Sequence, residues 1–591
     1  MGILPLPSPT AILFEADARR WACFSNPLTT LDTRQIHEVL PILQQVERKV
    51  SQEKLYAVGF LSYEAAPAFD SAFSTHRPCN DFPLIWFGLF KDFGTVHLTQ
   101  LSPNGYKLSN WKPSVTRKEY DQAIGEIKNA IARGDTYQVN YTLRLTAEFS
   151  GDPLGFFLQL ASAQRAKYLA YLDIGNFVIC SASPELFFEY SKGHVVCRPM
   201  KGTAKRGLWY EDDQKKAEEL FYSVKNRAEN VMIVDMIRND LGRIARIGSV
   251  KTTRLFEVER YPTVWQMTST VEADTSASIS EVLGALFPCA SITGAPKVST
   301  MEIISRLETR PRQIYTGAIG LITPQNCARF NVAIRTVLID RRSGTAEYGV
   351  GGGIVWDSTP EGEYEECQIK AQFLTYRNPD FDLLETLRWT PQEGYFLLEQ
   401  HLERLRQSAA YFDFAYDGLA IKEALLNYAR SLSSPQRVRL TLKSDGALAI
   451  QSAPLSNPIQ TVRLVLAKKP ISSQNPFLYH KTTYRQVYET ARREAQVLDP
   501  NCEVLLWNER GEITESEISN IVVRIEGRLW TPPISCGLLP GVFRRCLIER
   551  NEIQEKVIRI EDLPRCEEIF LINSVRQWRR GMIEPGGWRP L

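Results

Sequence analysis

Histidine and methionine are scarce in this chain, and neither sign of charge predominates. Its 591 residues include 6 His and 7 Met, and the formal net charge at pH 7 is +2. With no long run of one charge, we expect neither nucleic-acid binding nor membrane-surface binding. The histidines show neither an HExxH motif nor another paired metal spacing, which argues against a zinc site; they are His37, His76, His97, His194, His401 and His480.

Cysteine pairs and long apolar runs are also missing. The 11 cysteines are scattered without a CxxC motif or an even framework, which is typical of reduced thiols in the cytoplasm. No apolar run approaches the length of a membrane span. The first twenty residues, MGILPLPSPTAILFEADARR, lack a basic region before their apolar residues and are interrupted by prolines, so no secretory signal is predicted. We expect a cytoplasmic protein with no membrane partner.

The length of the chain predicts more than one hydrophobic core. Hydrophobic residues make up 44% of it and charged residues 23%, as in ordinary globular proteins. Helix and strand patterns run to residue 376, the stretch Arg377-Asn378-Pro379-Asp380 follows, and a strand–helix–strand pattern then starts again. We predict an α/β (α+β) architecture with a first domain at 1–376, a linker at 377–382 and a second domain at 383–591.

A carboxylate and a lysine mark the stretch Ser181–Gly207. Glu185 and Lys201 lie on two apolar runs that flank a glycine-containing turn, a pattern that predicts a hairpin. If the loop is Lys192-Gly193-His194, Glu185 lies directly opposite Lys201 and on the same face. The pair is then either an exposed salt bridge or a lysine nucleophile beside a general acid.

Two helices are predicted with particular features. Thr116–Arg133 begins at a cap-like threonine with Glu119 three residues on, which is typical of a capping box. Asp212–Ile237 is predicted as one long amphipathic helix that carries Glu229. A buried carboxylate is costly unless it is paired or bound to a metal ion.

A second acidic group lies near the end of the first domain. Glu363, Glu366 and Lys370 are spaced by three and four residues, which places them on one face of a helix. This face is either solvated, with an ion pair between Glu366 and Lys370, or part of a Mg²⁺ site completed by an anionic substrate. The glycines Gly351–Gly353 could offer backbone N–H groups to a carboxylate, although any tight turn also uses glycine.

Six segments between residues 110 and 375 carry a family resemblance. They resemble the chorismate-utilising enzymes, which include the anthranilate, aminodeoxychorismate, isochorismate and salicylate synthases. The resemblance implies an α/β sandwich of two large sheets around a deep site with Mg²⁺. In order, the segments are SPE at Ser183–Glu185, RPMKGT at Arg198–Thr203, MIVDMIRNDLGRI, SITGAPK, YTGAIG at Tyr315–Gly320, and GGGIVWDSTPEGEYEECQIKA.

The resemblance also implies roles for individual residues. Lys201 stands where other members have alanine and is the mark of the aminodeoxychorismate synthases, in which it would attack the chorismate ring. Glu185 would be the general acid. Glu229 and Glu366 would be Mg²⁺ ligands, with Glu363 nearby. The groups that would hold the substrate are Ser291, Thr293, Arg335, Gly352, Gly353 and Lys370.

Two glutamines bear on the choice among the family's reactions. Gln138, in TYQVNYTLR, occupies a position that resembles the members that use ammonia, whereas members that use water tend to carry lysine there. Gln266 departs from the family, which usually has histidine at that position.

The second domain resembles the fold-type IV pyridoxal-phosphate enzymes, specifically the aminodeoxychorismate lyases. The resemblance rests on His480-Lys481, Glu515 in GEITESEISN, Arg404 in HLERL, and the segments LLPGVFRR and LINSVRQ. It implies a two-subdomain α/β domain in which Lys481 carries the cofactor, Glu515 pairs with its pyridine nitrogen and Asn520 shapes the site. The groups that would hold the phosphate are Arg404, Val542, Phe543 and Ser574.

Together the two resemblances imply a reaction sequence. Chorismate and ammonia would give 4-amino-4-deoxychorismate, and loss of pyruvate would then give 4-aminobenzoate for folate biosynthesis. No GxCxGxQ-like elbow occurs in the sequence, so a separate glutamine amidotransferase subunit is the implied source of ammonia. The alternatives are an anthranilate or isochorismate synthase fused to a class IV aminotransferase or to a non-catalytic scaffold. The fold-type IV resemblance further implies a homodimer through the second domain.

Overall fold

A computed structural model describes residues 9–15, 18, 20–79, 81–96, 104–377, 379–455, 461–496 and 502–583 of the chain. These residues form two compact units, one within Met1–Arg206 and Ala217–Asn378 and the other within Gly207–Lys216 and Pro379–Leu591. Within the described ranges, no helix is long and apolar enough to cross a membrane.

The first unit contains two large antiparallel sheets that share one apolar core. Phe24 and Ile179 from one sheet pack in this core with Phe60 and Trp86 from the other. This is the two-sheet α/β sandwich that the resemblance implied. The described strands of the first sheet are Thr10–Glu15, Arg20–Ser25, Gly94–Val96, Tyr106–Leu108, Lys112–Pro113, Gln138–Gly151, Tyr168–Asp173, Phe177–Ser183, Gly294–Ala295, Thr336–Asp340 and Thr345–Ile354. Those of the second are Thr29–Thr33, Tyr56–Leu61, Ile85–Phe90, Leu186–Ser191, His194–Arg198, Met200–Lys205, Lys251–Arg260, Val264–Asp274, Ala318–Ile322 and Cys327–Val332.

Helices pack against the other face of each sheet. Arg117–Arg133 and Pro153–Gln164 bury their apolar sides on the first sheet, and Val39–Glu53 and Ile279–Leu286 do so on the second. The remaining helices as far as residue 378 are Tyr210–Tyr222, Val224–Gly242, Lys297–Leu307 and Pro360–Ala371, with 3₁₀ turns at Ile36–Glu38, Tyr63–Ala68, Ala290–Ile292 and Gln372–Leu374.

Of the two helix predictions, the one that begins at Thr116 is confirmed and the other is not. Thr116 caps Arg117–Arg133, and its side chain and that of Glu119 form the predicted capping box. The single long helix predicted over Asp212–Ile237 is wrong, because the chain breaks at Ser223 into two helices. Ser223 has an extended backbone, and its hydroxyl accepts a hydrogen bond from the backbone N–H of Asn226, so it begins a new helix.

The predicted hairpin is present, but its register is not the predicted one. Leu186–Ser191 and His194–Arg198 are joined by a two-residue turn, Lys192-Gly193, with φ of 51° and 80°. Positive φ at both central residues is typical of tight hairpin turns. His194 therefore pairs with Ser191 in the ladder instead of lying in the loop.

Glu185 and Lys201 are consequently not cross-strand partners, and the predicted pairing is wrong. Lys201 lies in the next strand, Met200–Lys205, which pairs with Val264–Asp274. The two residues still approach each other, because the backbone N–H of Met200 donates a 3.4 Å hydrogen bond to the Glu185 carboxyl.

The second unit has two sheets. In the smaller one, Val438 and Leu440 pack against Leu405 and Ile421 of two helices, Leu398–Phe412 and Gly418–Ala429. Its strands are Leu383–Thr390, Gly394–Tyr395, Gln436–Leu442 and Leu448–Pro454. The larger sheet has Thr461–Leu466, Glu503–Trp507, Ile513–Ser516, Asn520–Ile525, Arg528–Thr531, Gln554–Glu555, Glu568–Asn573 and Gln577–Ile583. Its helices are Gln486–Gln496 and Val542–Glu549, with 3₁₀ turns at Pro476–Leu478, Ile534–Cys536 and Ile560–Arg565.

The second unit also includes the segment Gly207–Lys216 from the first half of the chain. Trp209 of this segment stacks on Tyr479, with ring centroids 5.3 Å apart. The carbonyl of Gly207 accepts a 2.8 Å hydrogen bond from the Tyr411 hydroxyl. The domain boundaries expected at 376 and 383 stay a prediction.

Two glycines of the helix Arg117–Arg133 provide a test of this architecture. Gly125 lies in the helix interior with open space where a methyl group would stand, and Gly134 follows the helix with φ of 82° and equally open space. Gly125→Ala is expected to raise the free energy of unfolding by about 0.5–1 kcal/mol, since alanine loses less backbone entropy in a helix. Gly134→Ala is expected to lower it by about 1–2 kcal/mol, because an L side chain is strained there. Urea denaturation of the full chain measures both, and equal shifts of the same sign would contradict the assigned helix end.

Candidate functional site

A cavity of about 160 Å³ in the first unit brings together most of the residues predicted for chorismate chemistry. Its wall combines a strand that carries Lys201, a helix that carries Glu229 and a second helix that carries Glu366. The predicted residues at its surface are Glu185, Lys201, Glu229, Ser291, Arg335, Gly352, Gly353, Glu363, Glu366 and Lys370. Gln266 also lies there.

Glu185 is a buried carboxyl with two neutral donors. The Ser291 hydroxyl donates a 2.6 Å hydrogen bond to it, in addition to the bond from Met200. Burial raises the pKa of Glu185 to about 7, although these hydrogen bonds and the charge of Lys201 oppose the shift. A carboxyl with a pKa in this range can act as a general acid near neutral pH.

Lys201 lines the same cavity and is half-buried. Burial lowers its pKa below the usual value, and the Glu229 carboxylate is the largest of the charges that oppose this change. A lowered pKa increases the fraction of neutral amine, which is the nucleophilic form.

Gln138 approaches Lys201 across a glycine. A methyl group on Gly353 would lie 2.7 Å from both the Gln138 Nε2 and the Lys201 Nζ, so a side chain at this position would displace the ends of both. Both polar atoms of the Gln138 amide are buried and lack a hydrogen-bond partner among the described residues. An amide in this state is available to a small polar ligand beside Lys201.

The three carboxylates predicted to lie at the Mg²⁺ site, Glu229, Glu363 and Glu366, all line the cavity. Burial raises the pKa of Glu229 and of Glu363, and the charge of Glu366 adds to both shifts. Glu366 itself has a lowered pKa, because Lys370 lies 2.7 Å away. Mutually repelling carboxylates on two helices fit a divalent cation. Since the described part of the chain has no group of three acidic, His or Cys side chains close enough to form a complete site, Mg²⁺ would need further oxygens from substrate and water.

Some of the groups predicted to hold the substrate lie at the cavity surface, and Thr293 does not line it. Lys370 donates to the Gly351 carbonyl at 2.8 Å, and Arg335 donates to the Gln164 amide at 3.1 Å, while both remain at the cavity surface. Thr293 is fully buried, and its hydroxyl donates to the carbonyl of Cys289, so the backbone contact expected at Ser291–Thr293 stays a prediction. At Gly352 a methyl group would lie 2.9 Å from the Glu363 Oε2 and would displace that carboxylate.

Gln266 lies beside Thr203 on a paired strand. The Thr203 hydroxyl donates a 3.2 Å hydrogen bond to its Oε1, so its Nε2 is left as the side-chain donor at the cavity. The side chain thus offers a neutral donor where the resembling family has histidine.

The second unit contains a larger cavity, of about 300 Å³, around Lys481. Burial, assisted by the positive charge of Arg404, lowers the pKa of Lys481 to about 8. Burial raises the pKa of Glu515 to about 7, against hydrogen bonds from the Tyr488 hydroxyl at 2.7 Å and the Leu539 N–H at 3.1 Å. A carboxyl poised in this way can ionise when a cationic ring nitrogen approaches it.

Arg404 is held by a carboxylate that the sequence analysis did not identify. Its Nε and Nη2 donate to the two oxygens of Glu385 at 2.8 and 2.7 Å. His401 contacts Glu385 through Nδ1 at 2.7 Å, and its buried Nε2, at the cavity wall, has no hydrogen-bond partner among the described residues. The HLERL motif placed His401 one helical turn from Arg404, but Glu385 comes from a strand and only the fold reveals it.

The remaining predicted residues of this cavity fit a phosphate-bearing cofactor. Val542 and Phe543 begin the helix Val542–Glu549, which has no side-chain cap and so leaves backbone N–H groups available to an anion. Ser574 and Asn520 also line the cavity. A methyl group on Gly541 would collide with the Asn520 Oδ1, so glycine is required before this helix. A half-buried lysine, a buried carboxyl in the same cavity and an uncapped helix start together fit pyridoxal phosphate.

Comparisons with known proteins agree with this division. Residues 96–376 match the chorismate binding enzyme family, and residues 382–581 match the amino-transferase class IV family. The aminodeoxychorismate synthase component 1 of Bacillus subtilis (strain 168) is 33% identical over 354 residues, which covers 53% of this chain and 75% of that protein. The chain belongs to the chorismate-binding enzymes.

Two further relatives define the extent of the likeness. The aminodeoxychorismate synthase component 1 of Salmonella typhimurium is 41% identical over 270 residues, covering 45% of this chain and 59% of that protein, so this chorismate-binding enzyme spans less than two thirds of that relative. The crystal structure of anthranilate synthase component I from Streptococcus pneumoniae TIGR4 matches with a TM-score of 0.52 and 25% identity, covering 64% of this chain and 94% of that one.

The electrostatics of the first site can be measured without substrate. In this chorismate-binding enzyme, Glu229→Gln is expected to lower the pKa of Lys201 further, because the largest negative charge that stabilises its ammonium form is removed. Competitive acetylation across a pH series, read by mass spectrometry with exposed Lys205 as the internal standard, measures the change. Asp235→Asn, on the exposed side of the same helix, is the matched control. An unchanged Lys201 profile in Glu229→Gln would contradict the described site.

Proposed function

We propose that this chain converts chorismate and ammonia to 4-amino-4-deoxychorismate in its first unit and releases 4-aminobenzoate and pyruvate in its second. The observation that carries the proposal is the placement of Lys201 in the same cavity as a buried carboxyl, Glu185, whose pKa is raised to about 7. A lysine with a lowered pKa beside a carboxyl that can carry a proton near neutral pH supplies the two groups that an allylic displacement needs. The second proposed reaction is supported by Arg404 and Glu515, which line the same cavity as Lys481.

In the proposed first reaction, the Lys201 amine adds at C2 of the chorismate ring. Glu185 donates its proton to the C4 hydroxyl, which leaves as water. Ammonia then adds at C4 and Lys201 is expelled, so the amine of the product stands where the hydroxyl was. Mg²⁺ held by Glu229 and Glu366, with Glu363 nearby, would provide positive charge for the carboxylate of the substrate.

Ammonia is the proposed nucleophile at C4 because of the environment of Gln138. Its unpaired amide adjoins Gly353 and the Lys201 amine, and a neutral amide can hold ammonia without protonating it. The relatives named component 1 support a separate glutamine amidotransferase subunit as the source. That partner, a homodimer through the second unit and a cytoplasmic location stay predictions.

In the proposed second reaction, pyridoxal phosphate, when bound, supplies an electron sink for the carbon that carries the amine. Arg404, the helix start at Val542 and Ser574 would hold its phosphate, and Glu515 would hold the proton on its ring nitrogen. The Nζ of Lys481, with a pKa of about 8, takes the proton from C4. Loss of pyruvate then makes the ring aromatic.

Product analysis of single variants tests the two steps separately. The full chain, with chorismate, ammonium, Mg²⁺ and pyridoxal phosphate, is expected to form 4-aminobenzoate and pyruvate. Lys481→Ala is expected to accumulate 4-amino-4-deoxychorismate, because only the second step loses its base, and Lys201→Ala is expected to lose both products by at least about 100-fold. Mass spectrometry of the quenched reaction identifies each species.

Exposed lysines provide matched controls for these variants. Lys205→Ala, in the same strand as Lys201, and Lys469→Ala, before the loop of Lys481, are expected to leave product formation unchanged. Anthranilate or isochorismate as the product would contradict the assignment of Lys201. Accumulated 4-amino-4-deoxychorismate from the unaltered chain would support the alternative of a non-catalytic second half.

The first reaction should depend on pH through Glu185. A carboxyl with a raised pKa of about 7 is protonated below that pH and loses its proton above it, so general-acid catalysis should fall as pH rises through 7. Single-turnover rates of chorismate consumption from pH 5.5 to 9, at a fixed concentration of free ammonia, measure this decrease in rate. Glu185→Gln is expected to reduce the rate by about 100-fold or more and to abolish its decrease above pH 7. If the rate of Glu185→Gln still decreased above pH 7, the titration would belong to another group.

A further inference from the structure

The smaller sheet of the second unit presents arginines on the face opposite its core. Val438 and Leu440 are buried in that core, and alternation along the strand therefore places Arg437 and Arg439 on the other face. Arg437 lies directly opposite Arg388 on the neighbouring strand.

These arginines reach two adjoining cavities. Arg437 and Arg439 line the cavity that contains Lys481. Arg437 also lines a neighbouring cavity of about 540 Å³, together with Arg388 and Arg576. Because Arg437 and Arg576 line both, the two spaces meet at these side chains.

Arg437 and Arg439 are exposed to solvent, and the four arginines have few counter-charges near them. Like charges directly opposite each other on paired strands are destabilising. In the part of the chain that the structure describes, Arg388, Arg437 and Arg439 have no carboxylate within ion-pair distance, and the buried Nε of Arg388 has no hydrogen-bond partner. The remaining member, Arg576, lies 3.9 Å from Glu503, and burial together with nearby positive charge lowers its pKa.

We propose that Arg437 and Arg439, with Arg388 and Arg576, bind the two carboxylates of the substrate of the second reaction. This inference rests on the proposed function, in which the substrate carries one carboxylate on its ring and a second on its enolpyruvyl ether. Arginine binds a carboxylate through two parallel hydrogen bonds, and two carboxylates would relieve the repulsion within the cluster. 4-Aminobenzoate and pyruvate each carry a single carboxylate. Cleavage of the ether bond therefore weakens binding to the arginines and favours release of both products.

A matched pair of aromatic acids tests the inference without turnover. 3-(Carboxymethoxy)benzoate has two carboxylates in the arrangement of the substrate, and 3-methoxybenzoate lacks the second. Titration of the full chain with pyridoxal phosphate bound, followed by the absorbance of the cofactor so that only the second cavity is observed, is expected to show about tenfold or greater preference for the diacid. Arg437→Gln is expected to remove that preference, while Arg528→Gln, an exposed arginine in the strand Arg528–Thr531, keeps it.

Stability and kinetics separate ligand binding from a structural role. Arg437→Gln is expected to leave the thermal midpoint unchanged or raise it, since the repulsion with Arg388 is removed. With 4-amino-4-deoxychorismate, its KM should rise about tenfold or more while kcat changes less than about threefold. A lowered midpoint with an intact diacid preference would overturn the inference, as would equal binding of the two acids by the unaltered chain.

The same titration distinguishes this inference from the proposed function. If the unaltered chain fails to convert 4-amino-4-deoxychorismate but prefers the diacid through Arg437, the proposed reaction fails and the arginine site is supported. If it converts the substrate but binds both acids equally, the reaction is supported and the arginine site is overturned.

Discussion

Removal of ionisable side chains from water is the constraint on which both sites depend. Burial disfavours the charged form of any group, so it raises the pKa of a carboxyl and lowers that of an amine. In the first unit this brings the pKa of Glu185 to about 7 and lowers the pKa of Lys201. In the second it brings the pKa of Glu515 to about 7 and that of Lys481 to about 8. One physical effect thus prepares acids that keep a proton and lysines that can lose one.

The surroundings of each site then modify this common effect. Glu229 opposes the shift at Lys201, and Arg404 reinforces the shift at Lys481. Arg404 is itself neutralised by Glu385, whose pKa falls to about 2 because its cationic neighbours outweigh its burial. Among the other residues that line the second cavity, four arginines outnumber Glu515 and Glu517, so its charge is positive, as expected for a site that receives a phosphate and carboxylates.

Close backbone packing is the second requirement. Gly353 allows Gln138 and Lys201 to approach through a space that a single methyl group would fill, and Gly541 allows Asn520 to reach the start of a helix. These glycines are needed for space and not for an unusual backbone angle, because neither has a positive φ. The placement of polar groups around both lysines thus depends on strand and helix termini that approach more closely than side chains would permit.

The sequence by itself determined the two-part organisation, the capped helix at Thr116 and the residue types at both sites, because these follow from local patterns and from motif order. Only the tertiary structure decided the hairpin register, since a two-residue turn at Lys192-Gly193 competes with a three-residue loop of nearly the same composition. The break at Ser223 also needed the structure, in which Ser223 has an extended backbone and its hydroxyl accepts the hydrogen bond from Asn226 that begins a second helix. Glu385 and Arg388 lie on one strand, whereas their partners, Arg404 and Arg437, lie on a helix and on another strand, so these contacts exist only once those elements have paired and packed.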